Sequence, residues 1–251
     1  TGSVDFDDSV IIVSGARDTD VGGVDLPDSP KAKVQLESEL ILRQAPGQTI
    51  NETLNLVPGV SFTNNDPFGS LGGSFTIRGF ASDRISQTFD GLPLNDSGNY
   101  ALYTNQMVDP EIIASATVTL GSTDVDSPTA AAAGGTINIL SKTPDNDFGV
   151  TTTTTYGNII SRGNPGDRMM YRFFAKVETG ELTDGGLKAF LSASRTENDS
   201  GFSNYGGVDK QQYNAKIFQP IGVNGDFISL AGHYNINRNN FNGSPARFSG
   251  A

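Results

Sequence analysis

Two patterns of apolar and polar positions divide the chain. Up to about residue 147 the apolar residues fall at helical spacing or in short runs between turn residues. Beyond it they alternate with polar ones at a period of two. In the first part Thr49-Ile-Asn-Glu52 has the spacing of a capping box, with hydroxyl and carboxylate each placed to satisfy an orphan amide. Ile50, Leu54 and Val57 then share one helical face, and Pro58-Gly59 ends the helix. Ser38 is expected to cap a shorter helix holding Leu40, Ile41 and Leu42, which stops before Pro46-Gly47. From Val60 the pattern predicts short strands over Val60–Phe62, Phe75–Arg78, Ile85–Phe89, Ala116–Leu120 and Thr136–Leu140. Asp109-Pro110-Glu111 predicts a helical turn with Asp as cap and Pro at the first position. The connections 63–74 and 91–108 exceed ordinary loop lengths, which usually signals function or disorder. Residues 31–147 therefore read as a small α+β globule.

After Pro144 the helical signals vanish. Met169, Tyr171, Phe173, Ala175 and Val177 alternate with Arg168, Met170, Arg172, Phe174, Lys176 and Glu178. The same period runs through 187–196, Tyr213–Phe218 and Ile228–Asn237, and Val150–Tyr156 is a fifth, threonine-rich candidate. Segments of about ten residues with alternating polarity, joined by Asn/Gly/Asp-rich turns, are the signature of a transmembrane β-barrel with its apolar side toward lipid. A soluble sandwich gives the same alternation with the apolar side toward a core, and the absence of tryptophan is not what an interfacial girdle favours. Five strands cannot close around the globule, so 148–251 is expected to be the beginning of a barrel.

Composition changes this picture in three ways. No apolar run approaches the ~18–20 residues of a membrane-spanning helix, which leaves the closed barrel as the route through a bilayer. There is no cysteine, so disulfides and thiolate metal sites are excluded. Charge is unevenly divided: residues 1–147 carry 20 acidic and 7 basic side chains, residues 148–251 carry 8 and 10, and the whole chain is at −11. That split argues for two physically different parts and against a nucleic-acid partner. The N-terminal stretch 1–30 is acidic and turn-rich around one β-prone segment, Val10-Ile-Ile-Val13, and reads as a flexible arm. His233 is the only histidine and has no nucleophile or metal-ligand cluster around it, so neither catalysis, a metal nor a cofactor is expected. Asp18, Asp20 and Asp25, and likewise Asp124 and Asp126, do not fit a twelve-residue calcium loop and read as solvated turns.

Four motifs in order, Pro58-Gly-Val60, Phe75-Thr-Ile-Arg-Gly79, Asp90-Gly-Leu-Pro93 and Gly134-Gly-Thr-Ile-Asn-Ile139, resemble the plug domain of TonB-dependent receptors. The sequence departs from the family at Ser127-Pro-Thr-Ala-Ala-Ala-Ala-Gly, which replaces a Tyr-Gly-bearing turn and leaves the ligand class open. The resemblance implies an α+β plug inside a transmembrane antiparallel β-barrel of the bacterial outer membrane, of which this chain holds the plug and the first strands. It implies energy-coupled uptake of a small solute, such as an iron chelate, with the inner-membrane TonB complex and outer-membrane lipid as partners. A soluble or surface-displayed β-rich binding protein without transport is the alternative.

Within that frame Val10, Ile11, Ile12, Val13 and Ser14 are the candidate TonB box, because an extended apolar segment in a flexible arm offers backbone groups for strand addition. The long loops are expected to carry the ligand through Asn64, Asn65, Asp66, Phe68, Asn95, Asp96, Asn99, Tyr100, Tyr103 and Asn105, whose amides and phenols suit polar or aromatic solutes. Arg78 is expected to pair with acidic groups where the plug meets the wall, with Gly79 permitting a tight turn. Asp90 and Gly91, and Gly134 and Gly135, are read as structural positions of the plug, the glycine pair allowing close chain approach or positive φ.

Overall fold

The computed structural model describes residues 24–25, 32–44, 47–64, 69–70, 73–104, 107–121, 132–159, 168–199, 206–222 and 225–239. Val10–Ser14, Asn65, Asp66, Phe68 and Asn105 lie outside the described residues.

The N-terminal globule is built on a six-stranded sheet. Its strands are β1 (Val24–Asp25), β2 (Lys33–Glu37), β6 (Ile85–Phe89), β7 (Leu92–Pro93), β8 (Ile113–Leu120) and β9 (Gly135–Ser141), in the order β1-β2-β8-β9-β6-β7. Only β6 and β9 run parallel. A second sheet holds β3 (Val60–Asn64), β4 (Gly73–Ile77) and β5 (Phe80–Ala81). Helix α1 (Ser38–Arg43) and helix α2 (Ile50–Thr53), which tightens into a 3₁₀ turn at Leu54–Leu56, pack on this framework. The Glu52 carboxylate accepts the Thr49 N–H at 3.0 Å, and Ile50, Leu54 and Val57 are all buried in the common core with Leu36, Ile77, Ile85, Ile112, Ile137 and Ile139.

Three local expectations need correction. Ser38 is the first helical residue of α1, not its cap; Glu37 holds that position and its side chain makes no capping bond. The expected strand Phe75–Arg78 stops at Ile77. Arg78 (φ 49°) and Gly79 (φ 84°) are the two central residues of a hairpin in which Ile77 faces Phe80, and positive φ at both central positions is the type I′ geometry whose twist suits paired strands. Asp90 (φ 49°) and Gly91 (φ 81°) repeat it between β6 and β7. The connection 91–108 is also more ordered than its length suggested, since it contains β7 and a bridge between Asn95 and Leu102.

The second half is an antiparallel meander of β10 (Phe148–Ile159), β11 (Arg168–Thr179), β12 (Lys188–Asp199), β13 (Gly207–Ile221) and β14 (Asp226–Asn239). Its burial is the reverse of a soluble sheet. On β11, Arg172 is 3% exposed and Lys176 7%, whereas Tyr171 is 50% and Phe173 53% exposed. On β12 the buried residues are Phe190, Ser192, Ser194, Thr196 and Asn198, and Leu191 is 63% exposed. On β13, Lys210, Gln212, Asn214 and Lys216 are buried while Tyr213 and Ile217 are exposed. Apolar side chains out and polar side chains in is the arrangement of a membrane barrel wall, and a sandwich core would need the opposite. Tyr156 and Tyr171, at 5.4 Å between ring centroids, and Tyr213 and Tyr234, at 6.3 Å, pair across neighbouring strands on the outer face. The polar inner face is buried because the globule sits against it: Phe174 and Phe190 belong to the globule's own hydrophobic cluster.

Candidate functional site

The contact between globule and wall is polar and charged. The turn that the sequence marks at Asp109-Pro110-Glu111 forms, as a 3₁₀ turn over Pro110–Ile112 with Asp109 at its cap position. The Asp109 side chain, however, is spent on the wall. Its carboxylate accepts from Arg172 Nη2 at 3.0 Å on β11, from Ser194 Oγ at 2.8 and 2.9 Å on β12, and from Asn214 Nδ2 at 3.3 Å on β13. Arg172 also forks onto Glu111, Nη1 to Oε1 at 2.6 Å and Nη2 to Oε2 at 2.7 Å. Such bidentate, charge-assisted bonds are the strong and direction-specific kind. Burial pushes the Asp109 carboxyl above its ordinary range, against the opposing pull of Arg172.

A second anchor lies at the Asp90-Gly91 turn. Asp90 accepts the Ser141 N–H at 2.8 Å and the Ser141 hydroxyl at 2.6 Å, which ties the end of β6 to the end of β9. Lys216 of β13 then donates to Ser141 Oγ at 2.7 Å and stands 3.8 Å from Asp90. Beside it Phe89 meets the His233 ring edge-on at 4.8 Å, and His233 Nδ1 lies 2.8 Å from Asn214 Oδ1. A third contact joins the chain entering β10 to β11: Glu178 pairs with Lys176 at 3.0 Å and accepts the Asp145 N–H at 3.3 Å. Lys142 sits close by, its ammonium held below the ordinary lysine range by burial and by the like charge of Lys176.

These pairings follow from how charge is distributed over the wall. Among the described inner-face side chains that are buried, Arg168, Arg172, Lys176, Lys210 and Lys216 are cations and Glu178 is the anion. The globule supplies the opposite sign: from Ile85 to Ser141 there is no Lys, Arg or His, and Asp90, Asp109 and Glu111 face the wall. Arg78, expected to pair across this boundary, does not. It is exposed and, among the described residues, makes no ion pair; its backbone N–H donates to Gly59 O at 2.7 Å. The anchoring guanidinium is Arg172, on the wall side. Two signals in the sequence pointed to it: a charged residue on the polar parity of 168–178, and a long base-free run upstream.

Of the loop residues expected to meet a ligand, Asn95 has its side chain committed to β6 and to the loop, and Asp96 to the loop itself. Asn95 accepts the Gln87 N–H at 2.9 Å and donates to Ile85 O at 2.8 Å and Tyr100 O at 3.0 Å. Asp96 accepts the N–H groups of Gly98 and Asn99 at 2.8 and 3.0 Å. These bonds hold a small hairpin over 95–102 that carries Asn99, Tyr100 (φ 59°) and, just beyond it, Tyr103; Asn99 Nδ2 donates to the Tyr103 hydroxyl at 3.2 Å. Gly134 and Gly135 lie where chains cross closely: a side chain at Gly134 would meet Phe80 at 2.7 Å, and one at Gly135 would meet Thr119 O at 2.3 Å.

An acidic globule docked on the polar, basic inner face of a wall whose outer face is apolar defines a plugged membrane barrel, described here over five strands. Residues 25–136 match the TonB-dependent Receptor Plug Domain family. Solved structures share the fold. The siderophore receptor PirA of Acinetobacter baumannii aligns over 82% of this chain and 32% of its own, at 18% identity and a TM-score of 0.65. The outer-membrane ferripyoverdine receptor of Pseudomonas aeruginosa aligns over 83% and 25%, at 20% identity and a TM-score of 0.60. A variant of the ferric enterobactin receptor of Pseudomonas aeruginosa aligns over 85% and 34%, at 18% identity and a TM-score of 0.65. The chain thus spans about a third or less of these receptors' length. No curated protein matches it. Residues 25–136 are thus assigned to the TonB-dependent receptor plug domain, and the plug with the strands that follow it shares the fold of these receptors.

Proposed function

We propose that this chain is the plug and leading wall segment of an outer-membrane transporter that takes up a small solute, an iron chelate in the first instance, with energy from the TonB complex. The observation that carries the reading is the inverted wall closed by a plug seated on buried ion pairs, Arg172 with Asp109 and Glu111 foremost. A plug held by directional polar contacts beside the apolar contacts of Phe174 and Phe190 can be displaced and reseated, because water re-satisfies the polar groups it exposes. The names of the structural neighbours, receptors for siderophores, ferripyoverdine and ferric enterobactin, agree in pointing to iron chelates.

In this reading Val10, Ile11, Ile12, Val13 and Ser14 form the strand to which TonB pairs by β-augmentation. Asn99, Tyr100 and Tyr103 present the hydrogen-bonding and aromatic surface to the solute, together with Asn65, Asp66, Phe68 and Asn105, while Asn95 and Asp96 shape the hairpin. The test uses the full-length receptor in cells. Accumulation of an ⁵⁵Fe-chelate should stop on adding a protonophore and in an Ile12→Pro variant, while surface binding persists. Accumulation that survives both treatments would overturn the proposal.

A further inference from the structure

The wall carries its outer-face tyrosines at two levels of the hydrogen-bonding register. Tyr156 and Tyr171 face each other, and their row runs on through Glu197 and Asp209 to Arg238. Tyr213 and Tyr234 also face each other, but their row is that of Thr152, Ala175 and Ala193, four residues back along the strands. The far ends of the strands step in the same direction. Phe148 and Thr179 end the pairing of β10 with β11, level through Ala189 with Ile217, whereas β13 and β14 continue four residues further to Ile221 and Asp226. Both offsets are therefore four residues over three strand spacings.

Tilted strands produce such an offset. With about 3.3 Å per residue and about 4.8 Å between strands, four residues over three spacings lie at one height when the strands lean by about 40° from the membrane normal. Transmembrane barrels lean by about 35–45°. Charge follows the same oblique line. Arg195 stands on β12, midway between the two tyrosine pairs, in the row midway between theirs. Its guanidinium pairs with Glu197 and, at 3.1 Å, with Asp209, both of which lie on the side of the line away from Phe148. Among the described residues, the outer-face positions between this line and the one from Phe148 to Ile221 carry no charged side chain, and they include Val150, Phe173, Val177, Leu191, Ile217 and Leu230. Tyrosines level with an arginine that turns away from the apolar side are what a lipid–water boundary selects.

We infer that Tyr156, Tyr171, Arg195, Tyr213 and Tyr234 mark one lipid–water interface of the bilayer, crossing the strand register obliquely, and that Glu197, Asp209 and Arg238 stand beyond it among the lipid head groups. The placement is independent of which solute is taken up. The test reads depth from single nitroxide labels on the full-length receptor in phosphatidylcholine vesicles, as the ratio of collisions with oxygen to collisions with a water-soluble nickel chelate. Residues 1–251 contribute no cysteine of their own, and the labelled variants are Thr154→Cys, Gln211→Cys and Ala215→Cys. None of the three is an aromatic or charged member of the interface, so labelling leaves those residues intact. Thr154 and Gln211 share a register row, and Ala215 is four residues from Gln211 toward the Phe148 end. The oblique interface places the labels at Thr154 and Ala215 at the same depth and the label at Gln211 about 10 Å nearer to water. Equal depth at Thr154 and Gln211 with Ala215 deeper, or free access of the nickel chelate to all three labels, would overturn the inference.

Discussion

Arg172 and Asp109, 63 residues apart in sequence, meet at 3.0 Å in a setting where both side chains are almost wholly buried. The contact is more than one ion pair, because the same carboxylate accepts from Ser194 and Asn214 and the same guanidinium forks onto Glu111. Three successive wall strands are thereby referred to one turn of the plug. The arrangement gives Arg172, Ser194 and Asn214 of the inner face their partners in the plug's carboxylates.

Removing Arg172 leaves two buried carboxylates without their main counter-ion, with Lys210 alone still drawing on Asp109. Breaking a buried pair from one side costs about 3–5 kcal/mol, whereas replacing the whole constellation by apolar residues of similar volume is often neutral. Arg172→Ala should therefore loosen plug seating, read as a lower unfolding temperature of the full-length receptor and faster proteolysis of the plug. The triple variant Arg172→Met, Asp109→Leu, Glu111→Leu should recover most of the loss. If Arg172→Ala melted and resisted protease like the parent, the anchor would contribute nothing.

How much of this was legible in the sequence depends on whether the governing contacts were local. Ile50, Leu54 and Val57 repeat at helical spacing, and they pack as that spacing predicts. The wall strands were legible from alternation, but alternation gives the same string for a membrane wall and a soluble sandwich. Only the burial of Arg172 and Lys176 beside exposed Tyr171 and Phe173 separates the two. Strand β2 is not legible because Lys33–Glu37 runs straight into α1, and its strand character comes from pairing with β8 more than 75 residues later in sequence. The role of Arg78 is hidden for a similar reason: its motif shows a turn, while the choice of which guanidinium meets the acids is made by distant wall strands.

The outer face offers a direct test of its surroundings. Leu191 stands in a row with Val177 and Ala215 on the neighbouring strands, in the apolar part of the outer face and three residues in from the start of β12. An arginine facing hydrocarbon near the bilayer midplane costs about 2–4 kcal/mol and much less near the interface. Leu191→Arg should shift the guanidinium-unfolding midpoint of the full-length receptor in lipid vesicles by that order. On a water-facing surface the same change would be close to neutral. An unshifted midpoint would remove lipid from this face.

The plug's glycines separate backbone strain from steric overlap. Gly91 has φ +81°, and a Cβ there would meet nothing within 4 Å, so Gly91→Ala pays only the left-handed conformation, about 1–2 kcal/mol. Gly135 has φ +132°, and its Cβ would stand 2.3 Å from Thr119 O, on the strand to which β9 is hydrogen-bonded. That overlap is with backbone and cannot be relieved by a side-chain rotation; the β8–β9 ladder itself must separate. Gly135→Ala should cost about 3 kcal/mol or more, since the strain of a glycine-only conformation adds to overpacking. Hydrogen exchange on the full-length receptor should show the β8 and β9 amides losing protection in Gly135→Ala and keeping it in Gly91→Ala. Equal protection in the two variants would mean that the chains at Gly135 are free to move apart, and that the double glycine is not required for their close approach.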